Sequence, residues 1–530
     1  MQLKVLISDK MDPRCAEVLQ QNPGVEVDMR TDLDPAGLKA VIGEYDALIV
    51  RSNTQVTEEI LSAGHRLQVV GRAGIGVDNI DAQAATRHGI IVMNTPGGNS
   101  LSTAEHSFSM LMALARNIPQ ATASIRAGEW DKSRFTGTEM AGKTLGVLGL
   151  GKVGREVALR AAAFRMKVLT YDPYLSEEVA LEYGAQLCEL DEILAKADFI
   201  TVHLPLTAQT RYLLGTEQLA RCKDGVYLVN CARGGLVDEA ALLQALESGK
   251  VAGAALDVFE EEPPQFGALT AHQQVICTPH LAASTREAQA NVALQVARQV
   301  GDVLAGRVIR NAVNVPSVEQ EVYQKLRPYL DLAERLGQLQ AQLGSGQLQR
   351  ITIEYHGDVS AQPTAPLTSA VLKGIMGTIS SDGPVNVVNA PVFAQERGIQ
   401  VDELKSSEHE DYASLISVAY QTSQGRRILS GTIFGKNDMR LVRLDEYTFD
   451  AAPEGTMLFY INDDVPGVIG HIGTAMGRHQ VNIAQMACGR RQEGGQALTI
   501  LNVDSLVPDE LIEEILTQDY IAWVKQVSLP

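Results

Sequence analysis

Three residues in the middle of the chain have types and settings that suit acid–base chemistry. Arg233 follows a short apolar run and precedes two glycines, Glu262 closes the acidic segment 257–262, and His280 follows Thr278-Pro279. Each comes directly after a segment with the pattern of a buried strand. Ligands of doubly wound sheets bind at the carboxyl ends of the strands, so these three side chains are predicted to face one ligand.

Together the three side chains suit hydride transfer on a 2-hydroxy acid. The planar guanidinium of Arg233 can pair bidentately with a carboxylate and polarise the neighbouring C2 oxygen. His280 can take the hydroxyl proton as hydride leaves, and return it in the reverse direction. A hydrogen bond between Glu262 and the other ring nitrogen would fix the tautomer and favour the imidazolium. Each residue alone has an ordinary structural explanation, so only the combination carries the prediction.

A glycine-rich turn upstream of these residues, 149–154, predicts a dinucleotide site. It lies between an apolar strand pattern and a helical pattern, and Asp172 follows its third glycine by 18 residues. This is the dinucleotide-binding fingerprint in its full context. Gly149 permits the tight turn, Gly151 the approach of the pyrophosphate, and Gly154 the close packing of helix and strand. Asp172 can accept hydrogen bonds from the ribose hydroxyls and would repel a 2′-phosphate, so the sequence predicts NAD and not NADP.

Composition narrows the class of protein. The chain has 530 residues, 45% of them apolar and 21% charged, with a net charge of −19 and no run of Lys or Arg. Its length predicts three or four domains, and its charge argues against nucleic acid or an anionic membrane as a partner. The six cysteines are scattered, with no CxxC or zinc spacing, so we expect reduced thiols, no metal and a cytoplasmic location.

The elements that must position these residues form two α/β units. Strand and helix patterns alternate over the first hundred residues and again over about 143–280, which predicts two parallel, doubly wound sheets. A long helix is expected over about 102–127, capped by Ser100 or Ser102 and serving as core or subunit contact. Another helix, 284–305, is expected to return to the first unit.

The second half of the chain has a different residue pattern, without the regular alternation of strand and helix. A Gln-rich helix over 338–349 is followed by glycine-punctuated strands up to about 452, without a chemical motif. Residues 455–529 follow a βαββαβ order. The predicted domains are 1–98 with 281–315 (substrate), 99–280 (NAD), 316–452 (an α+β intervening domain) and 453–530 (regulatory).

Several motifs resemble a known family. Segments 231–239, 257–263 and 279–280 resemble the signatures of the D-2-hydroxyacid dehydrogenase family. Segments 69–79 and 92–96 are similar to its D-3-phosphoglycerate dehydrogenase branch, and the likeness extends through both C-terminal modules of the long form.

The resemblance implies roles for individual residues. Arg233 matches the family's substrate-binding arginine, Glu262 the acid and His280 the proton donor. The implied cofactor-binding residues are Gly149, Gly151, Lys152, Val153, Gly154, Asp172, Cys231, Ala232 and Asp257. Ile75 and Leu204 depart from the family's pattern, and we expect this to affect cofactor affinity and not the chemistry.

A phosphorylated substrate would need a second group of cations. Arg51, at a strand end, and Arg72, before the turn at Gly74, are placed for this in the first unit. Lys132 and Arg134 can reach the same ligand from a neighbouring loop or subunit. Simple 2-hydroxy acids would need none of these cations.

The last module resembles an ACT domain, which in its family binds an effector amino acid between paired modules. Asn462, Asp464 and Asn482 match the ligand positions, so the resemblance implies L-serine as a candidate effector. Modules of this kind also serve assembly alone. The middle region resembles the intervening, allosteric-substrate-binding domain of long-form enzymes.

Three functions therefore stay open at this point. The resemblance implies oxidation of D-3-phosphoglycerate to 3-phosphohydroxypyruvate with NAD, the first committed step of L-serine biosynthesis, by a homodimer or homotetramer. A reductase of hydroxypyruvate, glyoxylate or 2-oxoglutarate would use the same hydride chemistry. An NAD-sensing corepressor-like protein would carry the same Arg, Glu and His.

Overall fold

Four β-sheets organise the protein, and this computed structural model describes residues 2–380, 383–408 and 411–529. The predicted fold class is confirmed: two parallel, doubly wound sheets are followed by an α+β unit and a βαββαβ module. No helix within the described ranges combines the length and apolar character needed to cross a membrane.

The first unit is a five-stranded parallel sheet with helices on both faces. Its elements are β1 (Leu3–Ile7), α1 (Arg14–Gln20), β2 (Val25–Met29), α2 (Pro35–Val41), β3 (Ala47–Val50), α3 (Glu58–Ala63), β4 (Val69–Arg72), α4 (Ala82–Arg87) and β5 (Ile91–Met93). The strand order is β2-β1-β3-β4-β5. One face packs on α2, α3 and α4. The other face packs on α1 and on a helix contributed from further along the chain.

The second unit is a seven-stranded parallel sheet of the same kind. Its elements are α5 (Ser100–Ala115), α6 (Ile118–Arg126), β6 (Thr144–Leu148), α7 (Lys152–Ala163), β7 (Lys167–Tyr171), α8 (Glu177–Glu182), β8 (Ala185–Leu187), α9 (Leu190–Lys196), β9 (Phe199–Val202), α10 (Thr216–Arg221), β10 (Val226–Asn230), α11 (Glu239–Glu247), β11 (Val251–Leu256) and β12 (Val275–Cys277). The strand order is β12-β11-β10-β9-β6-β7-β8. Helices α5 and α7 cover one face, and α9, α10 and α11 the other.

The chain then returns to the first unit through α12 (Arg286–Leu304). Thr285 caps this helix by accepting a hydrogen bond from the amide of Ala288. Val292, Val296 and Val300 pack among the buried side chains of the first sheet. The two crossings between the units leave a cleft bordered by the carboxyl ends of both sheets.

The single long helix expected over 102–127 is wrong. Asn117 adopts a left-handed conformation (φ 53°) between α5 and α6, and Pro119 lies in the first turn of α6. Proline has no amide hydrogen to donate to the preceding turn, which together with the left-handed Asn117 explains the break at this point. The expected cap is also wrong, because Asn99 holds the N-cap position and Ser100 is the buried first residue of α5.

The third unit combines a long helix with a mixed sheet. Its elements are α13 (Gln320–Leu343), β13 (Leu348–Gly357), α14 (Ala365–Ile379), α15 (Ala390–Glu396), β14 (Gln400–Ser406), β15 (Ser414–Thr422), β16 (Gly425–Phe434), β17 (Asp438–Leu444) and β18 (Tyr447–Ala451). The strand order is β14-β13-β15-β16-β17-β18, with only β13 and β14 parallel. The helix expected over 338–349 is wrong in its bounds, since α13 starts at Gln320, continues through Pro328 and ends before β13.

The fourth unit has the predicted βαββαβ order. Its elements are β19 (Thr456–Asp463), α16 (Val468–Arg478), β20 (Ile483–Arg490), β21 (Gln496–Val503), α17 (Asp509–Leu516) and β22 (Ile521–Ser528). The antiparallel sheet has the order β20-β21-β19-β22, and α16 and α17 cover one face. The other face packs on α13, so Phe459, Leu498 and Val527 share a core with Leu336 and Leu339.

Candidate active site

The three predicted catalytic residues follow three neighbouring strands. Arg233 comes after β10, Glu262 after β11 and His280 after β12, and these strands are adjacent in the sheet. The carboxyl ends of parallel strands meet at one edge. Topology therefore places all three side chains at the edge of the second sheet that borders the cleft.

Glu262 and His280 form a close pair. Nδ1 of His280 lies 2.6 Å from Oε2 of Glu262, and the two side chains are 48% and 39% exposed. Burial raises the pKa of Glu262, but the hydrogen bond and charge of His280 outweigh it, so the pKa lies below its ordinary value. An ionised carboxylate on Nδ1 fixes the proton there, which leaves Nε2 to exchange a proton with a substrate.

The turn that carries His280 is anchored from below by Asp257. This carboxylate is completely buried and accepts hydrogen bonds from Thr278 Oγ1 (2.5 Å) and from the amides of Leu281 (2.7 Å) and Ala282 (2.8 Å). Burial raises its pKa, but these bonds and one from His106 outweigh that effect and hold the pKa below its ordinary value. Asp257 was predicted to lie near the cofactor. Here its side chain supports the catalytic turn, and its place at the cofactor stays a prediction.

His106 is a supporting residue that sequence reasoning missed. It lies on α5, with Nε2 3.2 Å from Thr278 Oγ1 and 3.3 Å from Asp257 Oδ1. It thus completes the set of donors around the buried carboxylate. The sequence carried no signal for this contact, because α5 and the catalytic turn are about 170 residues apart and meet only in the packed unit.

Arg233 reaches across the cleft to the first unit. Its Nε donates to Oδ2 of Asp78 at 3.2 Å, and its Nη1 donates to the carbonyl of Ala232 at 2.7 Å. A Cβ on Gly76 would lie 1.9 Å from Nη2 of Arg233, so only glycine leaves room for the guanidinium there. Sequence reasoning placed Asp78 in a motif but gave it no role. A substrate carboxylate between the units would meet this guanidinium.

Arg72 lies beside Arg233, in the wall that the first unit contributes to the cleft. Its Nε is buried and has no hydrogen-bond partner among the described residues. Burial, and then the charges of Arg233 and Arg51, lower the pKa of Arg72 to about 10. A Cβ on Gly74 would lie 2.0 Å from its Nη1, which puts the predicted turn against the guanidinium. These three arginines form a positive cluster that an anion would stabilise.

Lys132 and Arg134 lie on an exposed loop around the short 3-10 helix Ser133–Phe135. Lys132 Nζ sits 5.8 Å from the centre of the Trp130 ring, and Arg134 lies 3.7 Å from Glu129. Within the described parts of the chain, no hydrogen bond or ion pair joins either residue to the arginine cluster.

The glycine-rich turn has the geometry that a dinucleotide requires. A Cβ on Gly154 would lie 2.1 Å from the carbonyl oxygen of Gly149, so the third glycine is what allows α7 to pack against the turn. Gly151 is exposed, with open space where its Cβ would be. Helix α7 starts there without a side-chain cap, so its first amides are available to phosphate oxygens.

Asp172 is held at the end of β7 by two amides. Oδ2 accepts from Leu150 at 3.0 Å and Oδ1 from Tyr174 at 3.0 Å. The carboxylate thus faces the turn with lone pairs left for ribose hydroxyls. The residues that follow it, Pro-Tyr-Leu-Ser-Glu-Glu, include no cation for a 2′-phosphate. The turn and the acid together fit NAD.

The remaining predicted cofactor residues lie along the carboxyl edge of the second sheet. Lys152 Nζ donates to the carbonyl of Pro96 at 3.0 Å, and Val153 packs against the core of the second unit. Cys231 is buried, and burial followed by the charge of Asp257 raises the pKa of its thiol to about 12, which disfavours the thiolate. Ala232 is partly exposed beside it.

The two positions that depart from the family's pattern have ordinary structural roles. Ile75 accepts a hydrogen bond from Asn94 Nδ2 at 2.6 Å through its carbonyl. Leu204 packs against the apolar cluster beneath the second sheet.

The predicted effector residues lie in and beside the loops of the fourth unit. Asn462 is buried, and its Oδ1 has no partner among the described residues. Asp464 pairs with Arg490 at 3.1 Å, and Asn482 donates to Asp504 at 2.7 Å. Within the described chain, no hydrogen bond or ion pair joins the three side chains, so one copy of the module does not assemble them into a closed site.

This arrangement can perform a reversible proton and hydride exchange at a carbon that bears a hydroxyl. NAD, when bound, supplies the hydride acceptor. Arg233 is placed to hold a substrate carboxylate and its neighbouring oxygen, and Nε2 of His280 is placed to take the hydroxyl proton. Glu262 would stabilise the imidazolium that forms.

Comparison with known proteins extends this assignment. Three family models match: the NAD-binding domain of D-isomer-specific 2-hydroxyacid dehydrogenases over 108–282, the D-3-phosphoglycerate dehydrogenase intervening domain over 325–445, and the ACT domain over 456–518. The D-3-phosphoglycerate dehydrogenase of Synechocystis sp. is 44% identical, over 97% of this chain and 92% of the relative.

Solved structures resemble the first two units. A glyoxylate reductase from Paecilomyes thermophila superposes with a TM-score of 0.55 at 33% identity, covering 59% of this chain and 98% of the other. D-Lactate dehydrogenase from Aquifex aeolicus, complexed with NAD and lactic acid, superposes with a TM-score of 0.53 at 29% identity, covering 59% and 100%.

Fold and site thus define the class as an NAD-dependent dehydrogenase of D-2-hydroxy acids, acting on a small-molecule substrate. The third unit matches the D-3-phosphoglycerate dehydrogenase intervening domain and the fourth matches the ACT domain. The chain belongs to the D-3-phosphoglycerate dehydrogenase family.

Asp172 offers a direct test of cofactor choice. We expect Asp172→Ala to weaken NAD binding by about 10- to 100-fold, since charge-assisted hydrogen bonds of about 1.5–3 kcal/mol are lost. NADP should gain relative to NAD, because a negative charge no longer opposes its 2′-phosphate. The ratio of kcat/KM for the two cofactors measures this. Glu177→Ala, an exposed acid nearby, is the control, and an unchanged ratio would assign the preference to other residues.

Proposed function

We propose that the protein oxidises D-3-phosphoglycerate to 3-phosphohydroxypyruvate with NAD, the first committed step of L-serine biosynthesis. One observation carries the choice of substrate: Arg72 lies partly buried beside Arg233 and Arg51, with an unpartnered Nε. Asp78 pairs with Arg233, but three arginines still exceed the need of a single substrate carboxylate. A molecule with a carboxylate at one end and a phosphate at the other matches this excess of charge. Relatives named D-3-phosphoglycerate dehydrogenase support the same substrate.

The test is NADH oxidation with 3-phosphohydroxypyruvate, run beside hydroxypyruvate, glyoxylate and 2-oxoglutarate. The proposal expects a large kcat/KM preference for the phosphorylated ketone. Equal or faster turnover of the unphosphorylated acids would leave the hydride chemistry standing and overturn the proposed substrate. No observation favours an NAD-sensing corepressor-like role over catalysis.

Arg72 should account for much of that preference. We expect Arg72→Gln to lower kcat/KM for 3-phosphohydroxypyruvate by about 10- to 100-fold, because a charged hydrogen bond contributes about 1.5–3 kcal/mol. Hydroxypyruvate, which lacks phosphate, should be affected far less. Arg66→Gln removes a surface arginine paired with Asp46 and serves as the control. Equal losses on both substrates would mean that Arg72 binds no phosphate.

Lys132 and Arg134 belong to the same proposal as cations supplied by a partner subunit. Their loop is exposed and bears Trp130, whose side chain is 78% exposed. A homodimer or homotetramer would bury this loop. Sedimentation of the full chain tests the assembly, and a monomer with full activity would exclude a contribution in trans.

L-Serine is the proposed effector of the fourth unit. Asn462 Oδ1 is buried without a partner, and Asp464 and Asn482 are each held by one neighbour, so a second module facing them would complete a site. Isothermal titration with L-serine should give saturable heat that Asn482→Ala removes. D-Serine is the matched control. Absence of heat from the oligomer would reject serine binding.

The proposed domain bounds are 1–98 with 281–315, 99–280, 316–452 and 453–530. Each of the four domains contains one complete sheet. The segment 281–315 belongs to the first domain because its helix α12 packs on the first sheet. A cytoplasmic location is proposed because all six cysteines are free thiols.

A further inference from the structure

Helix α5 contacts both ends of the segment that carries the catalytic histidine. This segment, 278–285, joins β12 to α12 and is the second crossing between the first two units. Nε2 of His106 lies 3.2 Å from Thr278 Oγ1 at its start, and Ser102 Oγ lies 2.7 Å from Thr285 Oγ1 at its end. Ser102 and His106 are four residues apart, so they share one face of α5.

The contact between Ser102 and Thr285 joins the two crossings. Residues 94–99 form the first crossing and lead directly into α5, whose first turn contains Ser102. Thr285 holds the N-cap position of α12, which packs on the first sheet. Because Thr285 lies between α12 and His280, a displacement of α12 reaches the contact with Ser102 before it reaches the catalytic turn.

The backbone of His280 has a conformation that must be held by its surroundings. Its φ is 53°, in the left-handed region that residues other than glycine rarely adopt. Its amide donates to the carbonyls of Asp257 (2.9 Å) and Thr278 (3.0 Å). The next two amides of the turn donate to the carboxylate of Asp257. Asp257 and Thr278 therefore determine where the imidazole of His280 is presented.

The contact between His106 and Thr278 has a defined direction. Thr278 donates its one hydroxyl proton to Oδ1 of Asp257 at 2.5 Å, so its oxygen accepts from Nε2 of His106. The same Nε2 is 3.3 Å from Oδ1 of Asp257. Burial raises the pKa of Asp257, and the hydrogen bond from His106 is the largest of the opposing effects that bring it below its ordinary value. His106 thus stabilises the ionised carboxylate on which the turn is built.

We propose that His106 and Ser102 are positioning residues that fasten the segment 278–285 to the second unit. His106 holds the turn through Thr278 and Asp257, and Ser102 keeps movements of α12 from reaching it. The catalytic imidazole then stays in place at the carboxyl edge of the second sheet while the first unit opens and closes the cleft. This role rests on the proposed function only through the proton transfer, which is the same for phosphorylated and unphosphorylated ketones.

The kinetic test uses the ketone that the wild-type enzyme reduces fastest, at saturating NADH. His106→Leu should lower kcat by about 10- to 100-fold, as for a small misplacement of a catalytic group. The KM of the ketone should stay close to wild type, because Arg233 is untouched. His106→Gln, whose amide nitrogen can donate from nearly the same position, should restore most of the rate. Glu105→Leu, which changes an exposed neighbour on α5, is the control.

The solvent isotope effect separates misplacement from a loss of folded enzyme. A misplaced proton donor slows proton transfer relative to the other steps, so deuterium oxide should lower kcat more in His106→Leu than in wild type. His106→Gln should return the isotope effect to the wild-type value. A smaller amount of folded enzyme lowers kcat and leaves the isotope effect unchanged.

Hydrogen exchange measures the same contacts without cofactor or substrate. The three amides of residues 280–282 all donate to Asp257, so their exchange reports how firmly the turn is held. His106→Leu and Ser102→Ala should each speed exchange in the segment 278–285, while β6 exchanges as in wild type. This result is independent of which ketone is the substrate.

Three outcomes overturn the proposal for His106. They are a wild-type kcat in His106→Leu, a lower kcat without a larger isotope effect or without recovery in His106→Gln, and unchanged exchange in the segment 278–285. Unchanged exchange in Ser102→Ala would remove Ser102 from the proposal. A preference of the wild type for an unphosphorylated ketone would reject the proposed substrate and leave the positioning role standing.

Discussion

His280→Ala is expected to lower kcat by about 10²–10⁴-fold, because the variant loses the group that exchanges the hydroxyl proton. Nε2 of His280 is the ring nitrogen left free by the 2.6 Å contact between Nδ1 and Glu262. NAD affinity should stay unchanged, since the fingerprint turn is on other strands. Steady-state kinetics with 3-phosphohydroxypyruvate and cofactor titration by fluorescence measure the two effects.

The control for this prediction is His65→Ala, which removes an exposed histidine of the first unit. It should retain wild-type turnover. If His280→Ala also retained full turnover, the proton would have another route and His280 would be a structural residue of the turn. If kcat and NAD affinity fell equally, the substitution would have disrupted the structure at the carboxyl edge of the second sheet.

Arg233→Lys is the second large effect that we expect. Lysine keeps the charge but loses the planar fork, so the substrate carboxylate and the C2 oxygen can no longer be held together. The kcat/KM should fall by about 10²–10³-fold, as for removal of one donor to a developing oxyanion. The contact with Asp78 across the cleft is lost as well.

Cofactor affinity separates a role in substrate binding from a role in structure. NAD should bind Arg233→Lys within about twofold of wild type. Arg211→Lys, an exposed arginine stacked on Tyr212, is the matched control and should behave as wild type. If NAD binding weakened as much as kcat/KM, the role of Arg233 would be structural, through its contact with Asp78 of the first unit, and not substrate binding.

Much of the fold was predictable because its signals are local. The alternation of strands and helices predicted over the first hundred residues is confirmed by β1 to β5 and α1 to α4. The sequence predicted that Arg233, Glu262 and His280 lie together, because each follows a strand and ligands bind at the carboxyl ends of the strands in a doubly wound sheet. Gly154 was predicted to allow close packing, and its contact with Gly149 shows why.

The misses have identifiable causes. The break between α5 and α6 was missed because the apolar periodicity continues through Asn117 and does not encode its left-handed conformation. Pro119 was a signal in the sequence that could have indicated this break. A proline does not always mark a helix end. Helix α13 continues through Pro328, because the packing of its apolar face stabilises the helix on both sides. Asp78 and His106 belong to the site only through contacts between distant segments, which no local pattern contains.

The core shared by α13 and the last sheet limits how this chain can be recombined. Phe459, Leu498 and Val527 have their cover in the preceding unit, while α16 and α17 protect only the opposite face. A gene fusion that carried 453–530 alone would encode a sheet with one bare apolar face, and such faces promote aggregation. A recombined gene that keeps this face of the sheet covered must therefore include α13 as well as 453–530.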